Sequence, residues 1–338
     1  MQVLEKSVEE NQCIYSYEWS DLSLMPKRKQ DSHKGSYGRV LVIAGQKNMA
    51  GAAYFSAKAA ALCGCGLVKI FTVEENRTIL QQLFPEAILS TYSREEHTKS
   101  CKEGIASQVE NSVSMAENSE QAMKQILAKR LQKELVWADV IVIGPGLGTD
   151  ECAAGLVEET LIHAEVPVVI DADALNILAM EKGRRRELLM SSKPSLRIVT
   201  PHMGEMARLC ASSISDLKQS KIETARTFAN TYHVTCVLKD VQTVTACQDG
   251  TVWINRSGNN GMATGGSGDV LTGIIAGLLA QGMQEEAAPF GVYLHGLAGD
   301  QAKKECGSYS LLAGDLLSGI RQVTRAAEIM LREEKPDE

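Results

Sequence analysis

The chain has 338 residues, 44% hydrophobic and 23% charged with 28 glycines, which excludes a disordered or fibrous chain and fits an ordinary globular enzyme. Its formal charge of -7 and pI near 5.6 supply no broad basic field, so nucleic acid and anionic membrane surfaces are set aside and small ligands are expected as partners. Nine cysteines without a C-x-x-C pair, with Cys63, Cys65, Cys210 and Cys236 in apolar contexts, predict buried free thiols in a reducing cytoplasm. The start, MQVLEKSVEENQ, lacks a signal-peptide pattern, and no apolar run approaches the about 20 residues that span a membrane.

Residues 1–31 are polar, with Tyr15, Tyr17 and Trp19 as bulky anchors, and read as an arm or linker. Residues 32–338 read as one domain, since α/β chains of this length often fold around a single sheet. VLVIAG (Val40 to Gly45) predicts a strand, Ala52 to Leu62 a helix, and LVKIFT (Leu67 to Thr72) a second strand. The stretch from about 94 to 134 is rich in Glu, Ser, Gln and Lys, with helical periodicity only near its end, and reads as a surface insertion. VIVIG (Val140 to Gly144), a helix near Gly155 to His163, VPVVID (Val166 to Asp171) and LRIVT (Leu196 to Thr200) then restore the alternation.

VTCVLK (Val234 to Lys239) continues it, and TVTACQDGTVWIN predicts a hairpin turning at Asp249-Gly250. Near-continuous apolar strands with helices between them imply a three-layer α/β/α fold, its central sheet mostly parallel with an antiparallel edge. After Gly268, Val270, Leu271, Ile274, Ile275, Leu278 and Leu279 share one helical face, and Gly273 and Gly277 allow close packing.

The sharpest chemical signal precedes that helix: Asn259-Asn260-Gly261-Met262-Ala263-Thr264-Gly265-Gly266-Ser267-Gly268-Asp269. Glycines let backbone N–H groups turn toward an anion, and the helix N-terminus adds about half a positive charge, so phosphates can sit there. Asp269 in the first turn could take a proton from a hydroxyl held beside that phosphate. The plain alternative is a tight turn with Asp269 as a cap. The run is neither a Walker A motif nor a dinucleotide fingerprint, because no G-K-[ST] follows and it does not follow the first strand.

Seven segments in order carry a resemblance: HKGSYGRVLVIAG (His33 to Gly45), AGAAYFSAKAAALCGCGLVKIFT (Ala50 to Thr72), VIGPGLGTD (Val142 to Asp150), VVIDADALNIL (Val168 to Leu178), TPHMGEMARL (Thr200 to Leu209), VLKDVQTVT (Val237 to Thr245) and NNGMATGGSGDVLTGIIAGLLAQG (Asn259 to Gly282). Together they resemble the ribokinase-like superfamily and, within it, the ADP- or ATP-dependent NAD(P)H-hydrate dehydratases. The resemblance implies a ribokinase-like fold and repair of NADH or NADPH whose nicotinamide ring has been hydrated (the S form). The nucleotide, ADP or ATP with Mg2+, would phosphorylate the ring hydroxyl, and loss of phosphate would restore the double bond. ADP is the expected donor, leaving AMP, and NAD(P)H is a product rather than a redox partner.

By the same likeness Asp269 is the catalytic base, and the N–H groups around Gly266 and Gly268 stabilise the transferred phosphoryl group. Asn259, Gly261, Met262, Thr264, Gly265, Ser267 and the turn Lys239, Asp240, Val241, Gln242 and Thr243 are expected to hold the nucleotide. Ala52, Gly146, Gly148, Asp171, Asn176 and His202 are expected to hold the dinucleotide substrate. Each has an ordinary structural alternative: a strand-to-helix turn for Gly146 and Gly148, helix–sheet packing for Ala52, a strand end for Lys239, and a structural role for a lone histidine. Asp171 and Asp173 could position substrate or a magnesium ion through water, although a helix start explains Asp173 nearly as well. No metal site built by the protein itself is expected. Met203 stands where the family motif T-P-H-P-G-E has its second proline, which predicts a less rigid loop with the site retained.

Two other readings share the same residues. A vitamin-precursor kinase of the same fold would use Asp269 but release a stable phosphoester, and a non-catalytic nucleotide binder would not need Asp269 at all. The resemblance further implies a homo-oligomer, with a tetramer expected. It also implies a functional partner, an epimerase for the hydrate, to which residues 1–31 resemble a linker.

Overall fold

Strands buried on both faces can satisfy their backbone only through neighbouring strands, and that requirement assembles the apolar runs into one sheet. The computed structural model describes residues 1–6, 13–93, 112–190 and 195–333. In chain order the strands are β1 (Gln2–Lys6), β2 (Cys13–Ser16), β3 (Arg39–Ile43), β4 (Leu67–Val73), β5 (Ile88–Tyr92), β6 (Val140–Ile143), β7 (Val168–Ile170), β8 (Arg197–Val199), β9 (Thr235–Leu238), β10 (Val244–Ala246) and β11 (Val252–Ile254). They lie in the order β1-β2-β11-β10-β9-β8-β7-β6-β3-β4-β5. From β9 through β5 all neighbours are parallel. β10 pairs antiparallel with β9 and with β11, as the Asp249-Gly250 signal predicts, and Gly250 takes φ +88° at the turn.

Sequence order runs outward in both directions from the β3–β6 pair, toward β5 on one side and β9 on the other. Such a reversal leaves a crevice at the carboxyl ends of those two strands, where open α/β sheets take ligands. The layers follow from strand alternation: Val40, Val42, Val140 and Val142 face one core, Leu41, Ile43, Ile141 and Ile143 the other. Helices Ala50–Leu62, Ser267–Ala280, Ala287–Cys306 and Ala313–Glu333 cover the first face, and Glu151–His163, Asp173–Ala179, Met203–Cys210 and Lys221–Tyr232 the second. The three-layer α/β/α fold with a mostly parallel sheet and an antiparallel edge is therefore the one observed.

Gly273 and Gly277 do what their spacing predicts. A Cβ on Gly273 would strike the Ser56 carbonyl, and one on Gly277 would stand 2.7 Å from the Ala60 carbonyl, so the two helices Ser267–Ala280 and Ala50–Leu62 meet backbone to backbone.

Two boundaries differ from the sequence reading. The segment read as an arm or linker over 1–31 is tied into the domain: β2 pairs in parallel with β11, Tyr17 stacks on Trp253 at 4.3 Å, and Leu22 is fully buried. Of the stretch read as an insertion, 94–111 lies outside the described residues, whereas Ser112–Trp137 is a helix whose Leu131 and Leu135 enter the second core. Lys69 on β4 closes onto Glu134 of that helix at 2.7 Å, which ties this crossover helix to the sheet.

Candidate active site

The candidate site begins where Gly266 adopts φ +89°, a left-handed bend that turns the chain into the helix Ser267–Ala280. No side chain caps this helix; Ser267 N donates to the Thr264 carbonyl at 3.4 Å, and the amides of Gly268 and Asp269 are left for another acceptor. Asp269 stands in that first turn. Upstream, Asp300 grips the glycine-rich run by accepting from Gly258 N at 2.9 Å and Asn259 Nδ2 at 3.0 Å, and Asn259 Oδ1 in turn accepts from Gly261 N at 3.0 Å.

Beneath the helix start lies an ion pair. Lys239, just past β9, places Nζ 2.7 Å from Oδ1 of Asp171, just past β7, and Asp171 is almost wholly buried. A Cβ on Gly268 would come 3.2 Å from the same nitrogen, so glycine there keeps the amide close to the cation. Glu205 is buried nearby. Burial pulls the Lys239 pKa down, but the carboxylates of Asp171 and Glu205 outweigh it and hold the ammonium charged. Three carboxylates around one ammonium cannot all ionise cheaply. Burial first, and the Asp171 charge second, push Asp269 up to about 7, while burial raises Glu205 against the pull of Lys239. A carboxylate poised near neutrality, with hydrogen-bond donors beside it, can take a proton from an alcohol and pass charge to an anion held on the amides.

His202 is adjacent through a parallel bridge to Lys239, and it caps the helix Met203–Cys210. Its Nδ1 accepts from Gly204 N at 2.9 Å and Glu205 N at 3.3 Å, while Glu205 Oε2 accepts from His202 N at 2.8 Å. Burial and the neighbouring Lys239 lower the His202 pKa. A neutral ring accepting at Nδ1 carries its proton on Nε2, the atom 3.3 Å from Glu205 Oε1. The segment that Met203 was expected to loosen forms a helix start. Met203 takes the first helical position that proline would favour and is buried in the second core, so packing and the reciprocal cap replace the stiffness of the ring.

A cleft of about 740 Å³ opens over these groups. Lys239, Asp240, Val241, Thr243, Asn259, Met262, Thr264, Ser267, Gly268 and Asp269 line it together with Asp171, His202 and Glu205, whereas Gln242, Gly261, Gly265 and Gly266 do not. The turn after β9 is held by Lys221, which bonds the Asp240 carboxylate at 3.2 Å and the Gln242 carbonyl at 2.7 Å, leaving Val241 93% exposed at the rim. Among the described residues no group of three His, Cys, Asp or Glu side chains could alone hold a metal ion.

The other predicted residues gather at the β3–β6 crevice. Gly45 N donates to the Pro145 carbonyl at 2.9 Å and Gln46 N to that of Gly146 at 2.6 Å. A Cβ on Gly146, at φ +55°, would lie 2.9 Å from the Ala52 Cβ, which is the packing reason for both small residues. Gly148 N donates to Asp173 Oδ2 at 2.8 Å, and Asn176 Oδ1 accepts from Arg208 Nε at 3.0 Å. Asp173 is thus the tether of the GPGLG loop rather than a helix cap. The residue before it, Ala172, holds φ +50°, a strained value for alanine at about 1–3 kcal/mol.

Sequence reasoning missed Glu205 as a separate site group, and it missed His295 and Asp300. His295 Nε2 lies 3.3 Å from Ser267 Oγ, and burial lowers its pKa to about 4. Both residues sit on the helix Ala287–Cys306, and only the short run His295-Gly296-Leu297-Ala298-Gly299-Asp300, in which Gly296, Ala298 and Gly299 lie between two polar residues, could have hinted at a face pressed against the glycine-rich turn.

Comparison with known proteins fits this arrangement. The family model described as NAD(P)H-hydrate dehydratase matches residues 40–322. A bifunctional NAD(P)H-hydrate repair enzyme of Moorella thermoacetica is 40% identical over 307 residues, which is 90% of this chain and 53% of that protein, so the chain spans about half the length of that relative. An ADP-dependent (S)-NAD(P)H-hydrate dehydratase of Neisseria meningitidis is 36% identical over 298 residues, 87% of each chain. An ADP/ATP-dependent NAD(P)H-hydrate dehydratase of Bacillus subtilis, co-crystallised with ATP and Mg2+, superposes with a TM-score of 0.73 at 28% identity, over 93% of this chain and 99% of that one. With the matched segments extending from the β3–β6 crevice through Asp269, this chain belongs to the NAD(P)H-hydrate dehydratase family.

Proposed function

We propose that the chain is a nucleotide-dependent dehydratase that returns hydrated NADH or NADPH, in the S form, to NAD(P)H, converting ADP to AMP and phosphate. The observation that carries this reading is Asp269, with its pKa pushed up to about 7, in the first turn of an uncapped helix above the Lys239–Asp171 pair. Asp269 takes the proton of the ring hydroxyl, whose oxygen attacks the terminal phosphorus of the donor. That bond forms as the bridging P–O bond breaks, and AMP leaves. The phosphate then departs with the ring oxygen while the adjacent carbon loses a proton, which restores the ring double bond. The amides at Gly266 to Gly268 and the ammonium of Lys239 stabilise the transferring charge. Asn259, Met262, Thr264 and Ser267, with the turn from Lys239 to Thr243, hold the nucleotide. Ala52, Gly146, Gly148, Asp171, Asn176 and His202 hold the dinucleotide.

Magnesium would enter this site with the donor phosphates. Mg2+ keeps several waters and binds through substrate phosphates plus one or two carboxylates, and Asp171 and Asp173 would position it through water. When bound, it would neutralise donor phosphate charge.

No helix of the described residues is long and apolar enough to cross a membrane. A cytoplasmic homotetramer, working beside an epimerase that interconverts the hydrate epimers, is part of the same proposal and rests on the resemblance alone.

Product analysis tests the reaction. Hydrated NADH with ADP should give AMP, free phosphate and recovered reduced-nicotinamide absorbance in equal amounts. A stable phosphoester with no recovered absorbance would make the chain a kinase instead.

A further inference from the structure

A second cleft, of about 840 Å³, lies outside the catalytic region, between the segment before β3 and the last helix. It sits at the carboxyl ends of Ala50–Leu62 and Ser267–Ala280, where Gln281 Nε2 donates to the Cys63 carbonyl. The 14-residue helix that begins beside Asp269 separates the two clefts by about 20 Å, so this one is no extension of the active site.

Its charge is unlike that of the rest of the chain. One wall carries Lys27, Arg28 and Lys29, the other Arg321, Arg325 and Arg332, and among the described residues Glu328 is the one carboxylate lining it. On a chain of net charge -7, such a concentration creates a local field of opposite sign. Arg321, Arg325, Glu328 and Arg332 recur at spacings of four, three and four, which puts them on one face of Ala313–Glu333. Glu328 is taken by Arg332. Among the described residues no carboxylate lies within ion-pair distance of Lys27, Lys29, Arg321 or Arg325; the Arg321 charge acts on Glu86 only at longer range.

Arg28 is already set in place: one guanidinium nitrogen donates to the Gly64 carbonyl at 2.7 Å and its plane lies 4.2 Å from the Tyr37 ring centre. Met25, Leu62 and Leu331 supply an apolar floor. A volume within the roughly 300–1,000 Å³ of small-molecule sites, opposed arginines and lysines, and an apolar patch suit a small ligand bearing adjacent phosphates.

We propose that the cleft between residues 25–30 and the arginine face of Ala313–Glu333 is a second anion site that takes a small polyphosphate-bearing molecule. Titration calorimetry with inorganic tripolyphosphate, the catalytic cleft filled with saturating ADP, tests it on the whole chain. Wild type should bind one tripolyphosphate per chain. Arg321→Gln/Arg325→Gln should weaken that binding at least tenfold with turnover unchanged, and Lys27→Gln/Lys29→Gln should do the same should the first variant fold poorly. Lys303→Gln/Lys304→Gln, which removes the same charge from an exposed helix end, should leave it unaltered. Separate titrations with NADPH and with ADP then distinguish a dinucleotide phosphate from a mononucleotide, as the ligand whose second binding event vanishes in Arg321→Gln/Arg325→Gln. No tripolyphosphate bound by wild type, or equal weakening by the Lys303/Lys304 control, would overturn the site.

Discussion

Lys239 Nζ stands 2.7 Å from Asp171 Oδ1, directly under the glycine that precedes Asp269. Asp171 follows β7 and Lys239 follows β9, so the sheet itself delivers the two charges to one point, and the helix Ser267–Ala280 then lowers its start onto them. The pair therefore has two tasks, to give a buried carboxylate its partner and to set the potential felt by Asp269.

The structural task is open to a stability measurement. Lys239→Met leaves the Asp171 carboxylate buried and unpaired, which should cost about 3–5 kcal/mol in urea unfolding. Asp171→Asn/Lys239→Met should recover part of that loss, because the orphaned charge is gone. Equal destabilisation of the single and double variants would contradict the pairing.

The electrostatic task appears in the pH profile. Asp269 must be ionised to act as base, and its pKa is raised to about 7, so kcat/KM should fall about tenfold per pH unit below that value. Lys239 lowers the Asp269 pKa, so losing its charge in Lys239→Met should move the limb to higher pH. A flat profile between pH 5 and 8 would rule Asp269 out as the base.

Gly266 tests the bend. A side chain there is strained at φ +89° and its Cβ would lie 2.9 Å from both Ala313 Cβ and Phe55 Cδ2. Gly266→Ala should lose about 1–3 kcal/mol of stability and weaken nucleotide binding at least tenfold. Gly282→Ala, at φ +96° but with nothing within 4 Å, should carry backbone strain alone and leave nucleotide affinity intact.

The segment before residue 32 is testable as part of the fold. Leu22 is fully buried, so Leu22→Ala should destabilise by about 2–4 kcal/mol, whereas Leu24→Ala, at a residue 52% exposed, should change stability by under about 0.5 kcal/mol. Equal and small effects would return this segment to the status of a linker.

What the residues disclose on their own follows from how local the determining physics is. Val40 to Ile43 and Val140 to Ile143 are read as buried strands because both faces are apolar, and the Gly265-Gly266-Ser267-Gly268-Asp269 run is read as an anion bend because glycine and helix start are adjacent in sequence. Tyr17 on Trp253, Lys239 on Asp171, and Asp300 on Asn259 join distant segments, and no local pattern announces a partner so far along the chain. The helix Ser112–Trp137 was obscured for another reason: only one stripe of it is apolar, and the polar remainder dominates its composition.

Recovery of reduced-nicotinamide absorbance from hydrated NADH, with ADP present, should be compared between wild type and Asp269→Asn. The account predicts turnover by wild type and a loss of about 10² to 10⁴-fold in the variant, with ADP affinity little changed because the amides that hold the phosphates remain. Undiminished turnover by Asp269→Asn would contradict it.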